Sequence, residues 1–388
     1  MKKVRLSSIA AVNAGGTPSR SNLSYWNGDI PWVKISDIQG KHVQTYEEAI
    51  TDEGLKNSSA KLFYKGTILY TIFATLGRVG ILDFDATTNQ AIAGINILDE
   101  TIDCDYLYYF LRSQEKKAKA IGKGAAQQNI NLKILRDWLV PIRSKEEQTN
   151  IVGSLEKIES AISAKTELLN SLDSLVKSRF METFGTPGVN ENSYPVKSIG
   201  ELATEINYGT SKPAMENGDI PYLRMGNMTD SGSLDFSDMK YIHLEGKEYE
   251  KAVVRDGDFL FNRTNSRDHV GRSCVYHGDH ESIIAGYIVR VRLNKALITA
   301  DYLAQFMNTP QMKLKLKSMA RGAVNQANIN ATEMSSIEVF VPPINLQQAF
   351  ISFVELIDKS RFIVQSEIKD LQELLDSKMD EYFGGDEE

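Results

Sequence analysis

Residues 151–180 read IVGSLEKIESAISAKTELLNSLDSLVKSRF. Their apolar side chains Ile151, Leu155, Ile158, Ile162, Leu169, Leu172 and Val176 recur in steps of four and three, with Lys165 and Arg179 filling the remaining seam positions. Adding 199 to these numbers gives Phe350, Val354, Ile357, Val364, Ile368, Leu371 and Leu375, with Arg361 and Lys378 as the polar intrusions. Both patterns are coiled-coil heptads, and polar side chains inside such a seam commonly fix register at some cost in stability. Each run lasts about 39 residues, broken only by Gly153, and spans about 58 Å at 1.5 Å per residue. Helices of globular domains rarely run so long. Neither stripe can be buried by one helix alone, so the simplest partner of each is its repeat. A pseudo-twofold relation makes the pair antiparallel, with a globular segment expected at either end of a stiff rod. Val140-Pro141 and Val341-Pro342-Pro343 mark the entrances to the helices, and Phe184-Gly185 and Phe383-Gly384 mark the exits.

The rest of the chain repeats with the helices. Gly28-Asp29-Ile30-Pro31 returns as Gly218-Asp219-Ile220-Pro221, Gly77-Arg78 as Gly271-Arg272, and Asp105-Tyr106-Leu107 as Asp301-Tyr302-Leu303. Asn129-Ile130-Asn131 returns as Asn328-Ile329-Asn330, and Glu182-Thr183-Phe184-Gly185 as Glu381-Tyr382-Phe383-Gly384. The order is kept while the offset drifts, as it does when loops change length and elements do not. The expected organisation is a globular segment over 1–143, a helix over 144–185, a second globular segment over 186–343 and a second helix over 344–388. Short β-like runs at 67–70, 79–82 and 287–291 precede helical runs near 103–121 and 299–319, which makes the fold class α+β.

The 388 residues carry a net charge of −7, which by itself speaks against a phosphate-rich partner. The distribution says otherwise, because residues 1–143 hold 18 Lys and Arg against 14 Asp and Glu, while residues 344–388 hold 4 against 11. The acidity belongs to the last helix, and the globular segments stay near neutrality. Two cysteines, Cys104 and Cys274, cannot build a disulfide framework, which suggests a reducing compartment. The basic start lacks the apolar run of a signal peptide, and no apolar run of about 18 residues occurs elsewhere. A cytoplasmic protein without a membrane span is expected.

No phosphate-cradling glycine loop, dinucleotide fingerprint or adenine-methyltransferase motif is present. Pro342-Pro343 reads as a helix starter. Cys274, His277 and His280 have metal-like spacing but read better as a hairpin turn without a counterpart in the first half, so no metal is expected. What recurs instead is a set of polar loops. Gly15-Gly16-Thr17-Pro18-Ser19-Arg20 is echoed by Gly209-Thr210-Ser211-Lys212-Pro213, and residues 73–78 by Asn262-Arg263-Thr264-Asn265-Ser266-Arg267 up to Arg272. Lys123-Gly124 through Gln127-Gln128-Asn129 is echoed by residues 321–328. These loops supply the side chains that read base edges or hold phosphates.

Two such segments alternating with two long helices, together with Asn262-Arg263-Thr264-Asn265-Ser266 and the run from Gly322 to Pro343, resemble the specificity subunit of type I restriction-modification systems. Glu146-Glu147-Gln148, opening the first helix after Asn129-Ile130-Asn131 and Val140-Pro141, looks like that family's junction between target recognition domain and conserved helix. Gln347-Gln348 opens the second helix with Gln in place of the acidic residue. The resemblance implies two target recognition domains, each reading half of a bipartite DNA site from the major groove, while the antiparallel intramolecular coiled coil sets their spacing. It implies a non-catalytic chain with no cofactor of its own. Two modification subunits would bring S-adenosylmethionine, and restriction subunits with ATP and magnesium would join for cleavage. The residues it nominates for DNA contact are Thr17, Arg20, Lys34, Thr75, Arg78, Gln127 and Gln128 in the first domain, and Lys212, Arg224, Arg263, Asn265, Arg267 and Arg272 in the second. The weak positive charge of the domains suggests that partners add phosphate contacts. Two other readings compete. A DNA-modifying enzyme in its own right would be active as an isolated chain, and the missing motifs oppose it. A coiled-coil scaffold without DNA would show no sequence-selective binding, and the duplicated polar loops oppose that.

Overall fold

The structure is a computed structural model that describes residues 2–123, 129–229, 231–323 and 326–384. Two helices of 40 residues each, α1 (Lys145–Phe184) and α2 (Ile344–Phe383), dominate it. The chain forms two compact units, Met1–Glu167 with Ser366–Glu388, and Leu168–Gln365. The division into units falls inside the helices, because each core draws in an end of both. Ile151, Leu155, Leu375, Met379 and Phe383 are buried in the first core, and Val176, Phe180, Phe184, Phe350, Val354 and Ile357 in the second.

In the first unit a five-stranded sheet has the order 10–14, 92–97, 68–71, 79–82, 42–43, and the last pair is parallel. Alternation along strand 68–71 sends Ile68 and Tyr70 to the main core and Leu69 to a second cluster with Val33, Phe63 and Leu82, so both faces are covered. The second unit repeats this plan in a sheet of order 203–208, 288–293, 259–262, 273–275, with Phe259 and Phe261 on the main core and Leu260 on the far side. Each globular segment also closes on itself. Residues 3–5 pair antiparallel with 139–141, and 196–198 with 338–340.

Each long helical run expected near 103–121 and 299–319 is two helices. Cys104–Ser113 is followed by Glu115–Lys123, and Ala300–Met307 by Pro310–Met319, where the Thr309 side chain caps the new helix and Pro310 occupies its first turn. The junctions with α1 and α2 repeat down to single hydrogen bonds. Gln148, fully buried, accepts from the Asp103 N–H (2.8 Å) and donates to the Thr101 and Arg143 carbonyls. Gln347 accepts from the Thr299 N–H (2.9 Å) and donates to the Leu297 and Pro342 carbonyls. The Tyr106 hydroxyl donates to the Pro141 carbonyl (2.9 Å), and the Tyr302 hydroxyl to that of Phe340 (3.0 Å).

Within each unit the helix stretches run antiparallel. In the first, Lys165 reaches Glu367 (2.7 Å) while Phe383 joins the cluster that holds Ile151 and Leu155. In the second, Arg361 reaches Asp173 (2.6 Å), and the Phe350 ring meets those of Phe180 and Phe184 at 5.6 and 5.3 Å. The seam residues Ile158, Ile162, Leu169, Leu172, Ile368 and Leu371 are half-buried, and Val364 is buried. One expectation needs correction. Arg179 and Lys378 do not lie in the seam but pair along their own helices with Glu182 and Glu381. After Val176 and Leu375 the buried positions advance by four and four, through Phe180 to Phe184 and through Met379 to Phe383. That stride follows an α-helix turning its face from a helical partner into a globular core, where the 3.5-residue repeat no longer applies.

Candidate nucleic-acid interface

The polar loops of the second half converge. Thr264 and Asn265 pair antiparallel with Asn328 and Ala327, which pair in turn with Arg321 and Gly322. The Ile329 N–H donates to the Arg263 carbonyl (2.9 Å), and the Thr264 hydroxyl donates to Asn328 Oδ1 (2.8 Å). Thr210 brings in the remaining loop: its N–H donates to the Ile284 carbonyl (2.9 Å) and its carbonyl accepts from the Gly286 N–H (2.7 Å). A groove of about 820 Å³ opens between these segments, and Lys212, Arg224, Arg263, Asn265 and Arg272 all line it. Arg267 lies outside this groove but lines a neighbouring one that shares Arg272.

The cations of the groove are held by the protein's own groups. Lys212 pairs with Glu248 (2.6 Å), which keeps that carboxyl below its ordinary range. Arg224 reaches Asp238 and its carbonyl, both at 2.9 Å. Arg263 stacks over the Tyr208 ring at 5.0 Å and points a nitrogen at the Gly286 carbonyl (3.4 Å). Arg272 donates to the Met228 carbonyl (2.9 Å) and lies 2.7 Å from His269 Nδ1. These ties pre-order the guanidinium planes, which is what bidentate contact to a guanine edge or a phosphate requires.

The first unit repeats part of this pattern. Lys34 and Arg224 occupy matching places before the short turns 35–37 and 225–227; the Lys34 N–H donates to Asp37 Oδ2 (2.8 Å) and the Arg224 N–H to Asn227 Oδ1 (2.9 Å). Arg78, like Arg272, ties its loop to that turn, donating to the Ile35 and Ile38 carbonyls at 3.1 and 3.3 Å. Lys34 pairs with Glu47 (2.6 Å) and Glu48 (3.0 Å), and these acids hold its ammonium above the ordinary lysine range. Arg20 pairs with Glu48 and lies 3.6 Å over the Trp26 ring; it lowers that carboxyl. Thr17 donates to the Gln90 side chain, and Thr75 is exposed at its loop tip. Gln127 and Gln128 lie outside the described residues.

The sequence did not single out Tyr222, Met225 and Tyr287, which also line the large groove. Tyr287 read as the first residue of a strand. The strand begins at Ile288 and leaves the Tyr287 ring 49% exposed beside Gly286, a position that its immediate neighbour Gly286 could have flagged. Cys274 is fully buried among apolar side chains, and burial pushes its thiol up to about 12. His277 does not face Cys274 but reaches Asp301 (2.7 Å) and Asp256 (3.2 Å).

The family described as "Type I restriction modification DNA specificity domain" matches residues 1–174 and 192–373. The chain belongs to this family. The two matched stretches are the two copies of the duplication, each ending within a long helix, so the family unit is one globular segment with its helix. Among specificity subunits of the family, the chain is 27% identical over 288 residues to the type I restriction enzyme MjaIX specificity subunit of Methanocaldococcus jannaschii, over 68% of this chain and 66% of that one. It is 22% identical over 358 residues to the EcoKI specificity subunit of Escherichia coli K12, over 86% of this chain and 76% of that one. The chain thus spans a little under two thirds of the archaeal relative. A solved chain from work on complex assembly and conformational transition of the type I R-M system shares the fold with a TM-score of 0.65 at 17% identity, covering all of this chain and 98% of its own.

Proposed function

We propose that this specificity-family chain is the DNA-reading subunit of a type I restriction-modification complex. Each globular segment reads one half of a bipartite duplex site from the major groove, and the helices set the separation of the half-sites and dock two modification subunits. The chain itself is non-catalytic. S-adenosylmethionine binding belongs to the modification subunits, and ATP and magnesium belong to restriction subunits recruited for cleavage. The observation that carries the reading is the convergence of separately repeated polar loops on one groove lined by Lys212, Arg224, Arg263, Asn265 and Arg272. Side chains of these types distinguish base edges and hold phosphates. Half-sites about 34 Å apart present the same face of the duplex, so a fixed helical spacer would discriminate spacing as well as sequence. Docking is supported by Leu356, Phe362 and Ile363 on α2, which are 62%, 73% and 58% exposed. Large apolar side chains this exposed on one helix are candidates for contact with a partner. No helix among the described residues is long and apolar enough to cross a membrane.

Co-expression with candidate modification subunits, followed by mapping of methylated adenines across a genome, tests the proposal. The expected result is one recurrent two-part motif with an unspecified gap. Methylation without any shared motif, or activity from the isolated chain with S-adenosylmethionine, refutes it.

A further inference from the structure

The two halves differ at the loop tips and agree beside them. By their backbone hydrogen bonds, Ile72, Phe73 and Ala74 in the first half stand where Arg263, Thr264 and Asn265 stand in the second, yet both loops end in Gly-Arg, Gly77-Arg78 and Gly271-Arg272. Both glycines adopt positive φ, +86° and +84°. A Cβ on Gly271 would lie 2.8 Å from Leu316, and one on Gly77 2.7 Å from Glu115. In each unit, then, a glycine that no other residue could replace without strain seats the arginine loop on the second of the two helices that follow. Both of those helices are rich in lysine: Lys116, Lys117 and Lys119 on Glu115–Lys123, and Lys313, Lys315 and Lys317 on Pro310–Met319.

In the second unit this junction forms a cavity of about 370 Å³. Arg267 and Arg272 from the loop and Lys313 and Lys317 from the helix line it, with Asp268 the one carboxylate among the described residues of the lining, paired with Lys317. Arg272 lines this cavity and the large groove alike, so an anion held here would sit directly beside whatever the groove reads.

Resting on the reading of the chain as a DNA-binding subunit, we propose that the loop–helix junction at Gly271-Arg272, with Lys313 and Lys317, is a clamp for a backbone phosphate of duplex DNA, and that the junction at Gly77-Arg78 with the 115–123 helix is its counterpart. Two copies that read different half-sites must diverge where they touch bases and agree where they touch the sequence-independent backbone. The tips diverge, while both junctions set a Gly-Arg loop against a lysine-bearing helix, in the first unit with Glu115 at the contact, Lys116 paired with Asp376 and Lys119 with Glu115. The clamp therefore contributes affinity and register, and the tips around Arg263 and Asn265 contribute selectivity.

The test uses the full chain with its co-expressed subunits, and measures binding to random duplex as a function of potassium chloride concentration. Each phosphate contact adds about 0.9 to the slope of log affinity against log salt. Lys313→Gln with Lys317→Gln is expected to flatten the slope by about 1 and to weaken random and methylated-motif duplexes alike by about tenfold near 0.1 M salt, with the motif unchanged. Arg267→Gln, which leaves the helix intact, gives the same result in weaker form, and Lys116→Gln with Lys119→Gln does so for the first unit. Asn265→Ala behaves oppositely, altering one half of the motif at constant slope. An unchanged slope on random duplex in the Lys313 and Lys317 variant, or no binding of random duplex by the parent chain, overturns the clamp whatever the motif does. A flattened slope without any motif upholds the clamp and overturns the selective-reader proposal.

Discussion

The arginines proposed to contact DNA are anchored by the protein's own groups. Arg78 and Arg272 fasten their loops to the carbonyls of a short turn, and Arg263 rests on Tyr208. Under the proposed reading, contact with DNA would cost little side-chain ordering but would compete with internal partners such as Glu248 and Asp238. A different residue reports on pH. His277 lies between Asp301 and Asp256, and chiefly the Asp301 carboxylate raises its pKa from 6.5 to about 9. The folded state thus binds the proton more tightly than the unfolded chain. Its contribution to stability is complete below about pH 6.5, declines as pH rises and is gone above about 9. The imidazole is 58% exposed, so solvent limits the effect to under about 1 kcal/mol. Thermal melting between pH 6 and 9.5 is expected to fall less steeply for His277→Gln than for the parent, and parallel curves would show that the pair does not couple to folding.

The long helices show where a sequence pattern stops carrying information. Leu155, Val176, Phe350, Val354 and Leu375 of the heptad pattern are buried, each within the core of a globular segment, while the mid-helix seam residues Ile158, Ile162, Leu169, Leu172, Ile368 and Leu371 are half-buried. The heptad reading failed at the ends, where α1 and α2 turn into the globular cores and Phe180, Phe184, Met379 and Phe383 replace the seam positions given to Arg179 and Lys378. No periodicity encodes that change of partner. The same holds for the groove: repetition flagged its loops, but Tyr287 and Met225 enter it through tertiary placement that no local pattern carries. Substitutions separate the two readings of the helix ends. Phe383→Ala and Phe184→Ala each empty an aromatic site that is 4% or less exposed, and are expected to cost about 3–5 kcal/mol. Arg179→Ala removes an exposed pair along one helix and Lys378→Ala a similar pair plus a contact over the Tyr382 ring, and both are expected to stay within about 1 kcal/mol. Urea denaturation of the four variants checks this, and comparable losses for the lysine and the phenylalanine would restore the uninterrupted heptad.

At the scale of the whole chain, duplication makes each half complete in backbone pairing and incomplete in core. Strand 3–5 finds its partner in 139–141 of the same segment, and among the described residues no strand pairs with the other copy. The core of the first unit, however, needs Ile151 and Leu155 from α1 and Leu375, Met379 and Phe383 from α2, with Tyr106 and Phe110 packed on the Phe383 ring at 5.3 and 6.1 Å. An exchange of residues 1–143 for the corresponding segment of another specificity subunit therefore transfers a closed sheet but must keep the apolar face that receives the helix ends. A chimera that retains Tyr106, Phe110 and Gln148 is expected to fold, to assemble with the same modification subunits and to methylate a motif changed in one half, with the other half and the gap length preserved. Gap length is the discriminating readout, because the proposed reading assigns it to the helices, which the exchange leaves alone. A chimera whose gap changes places the spacing in the globular segments, and one whose two half-sites both change means that the halves do not read independently.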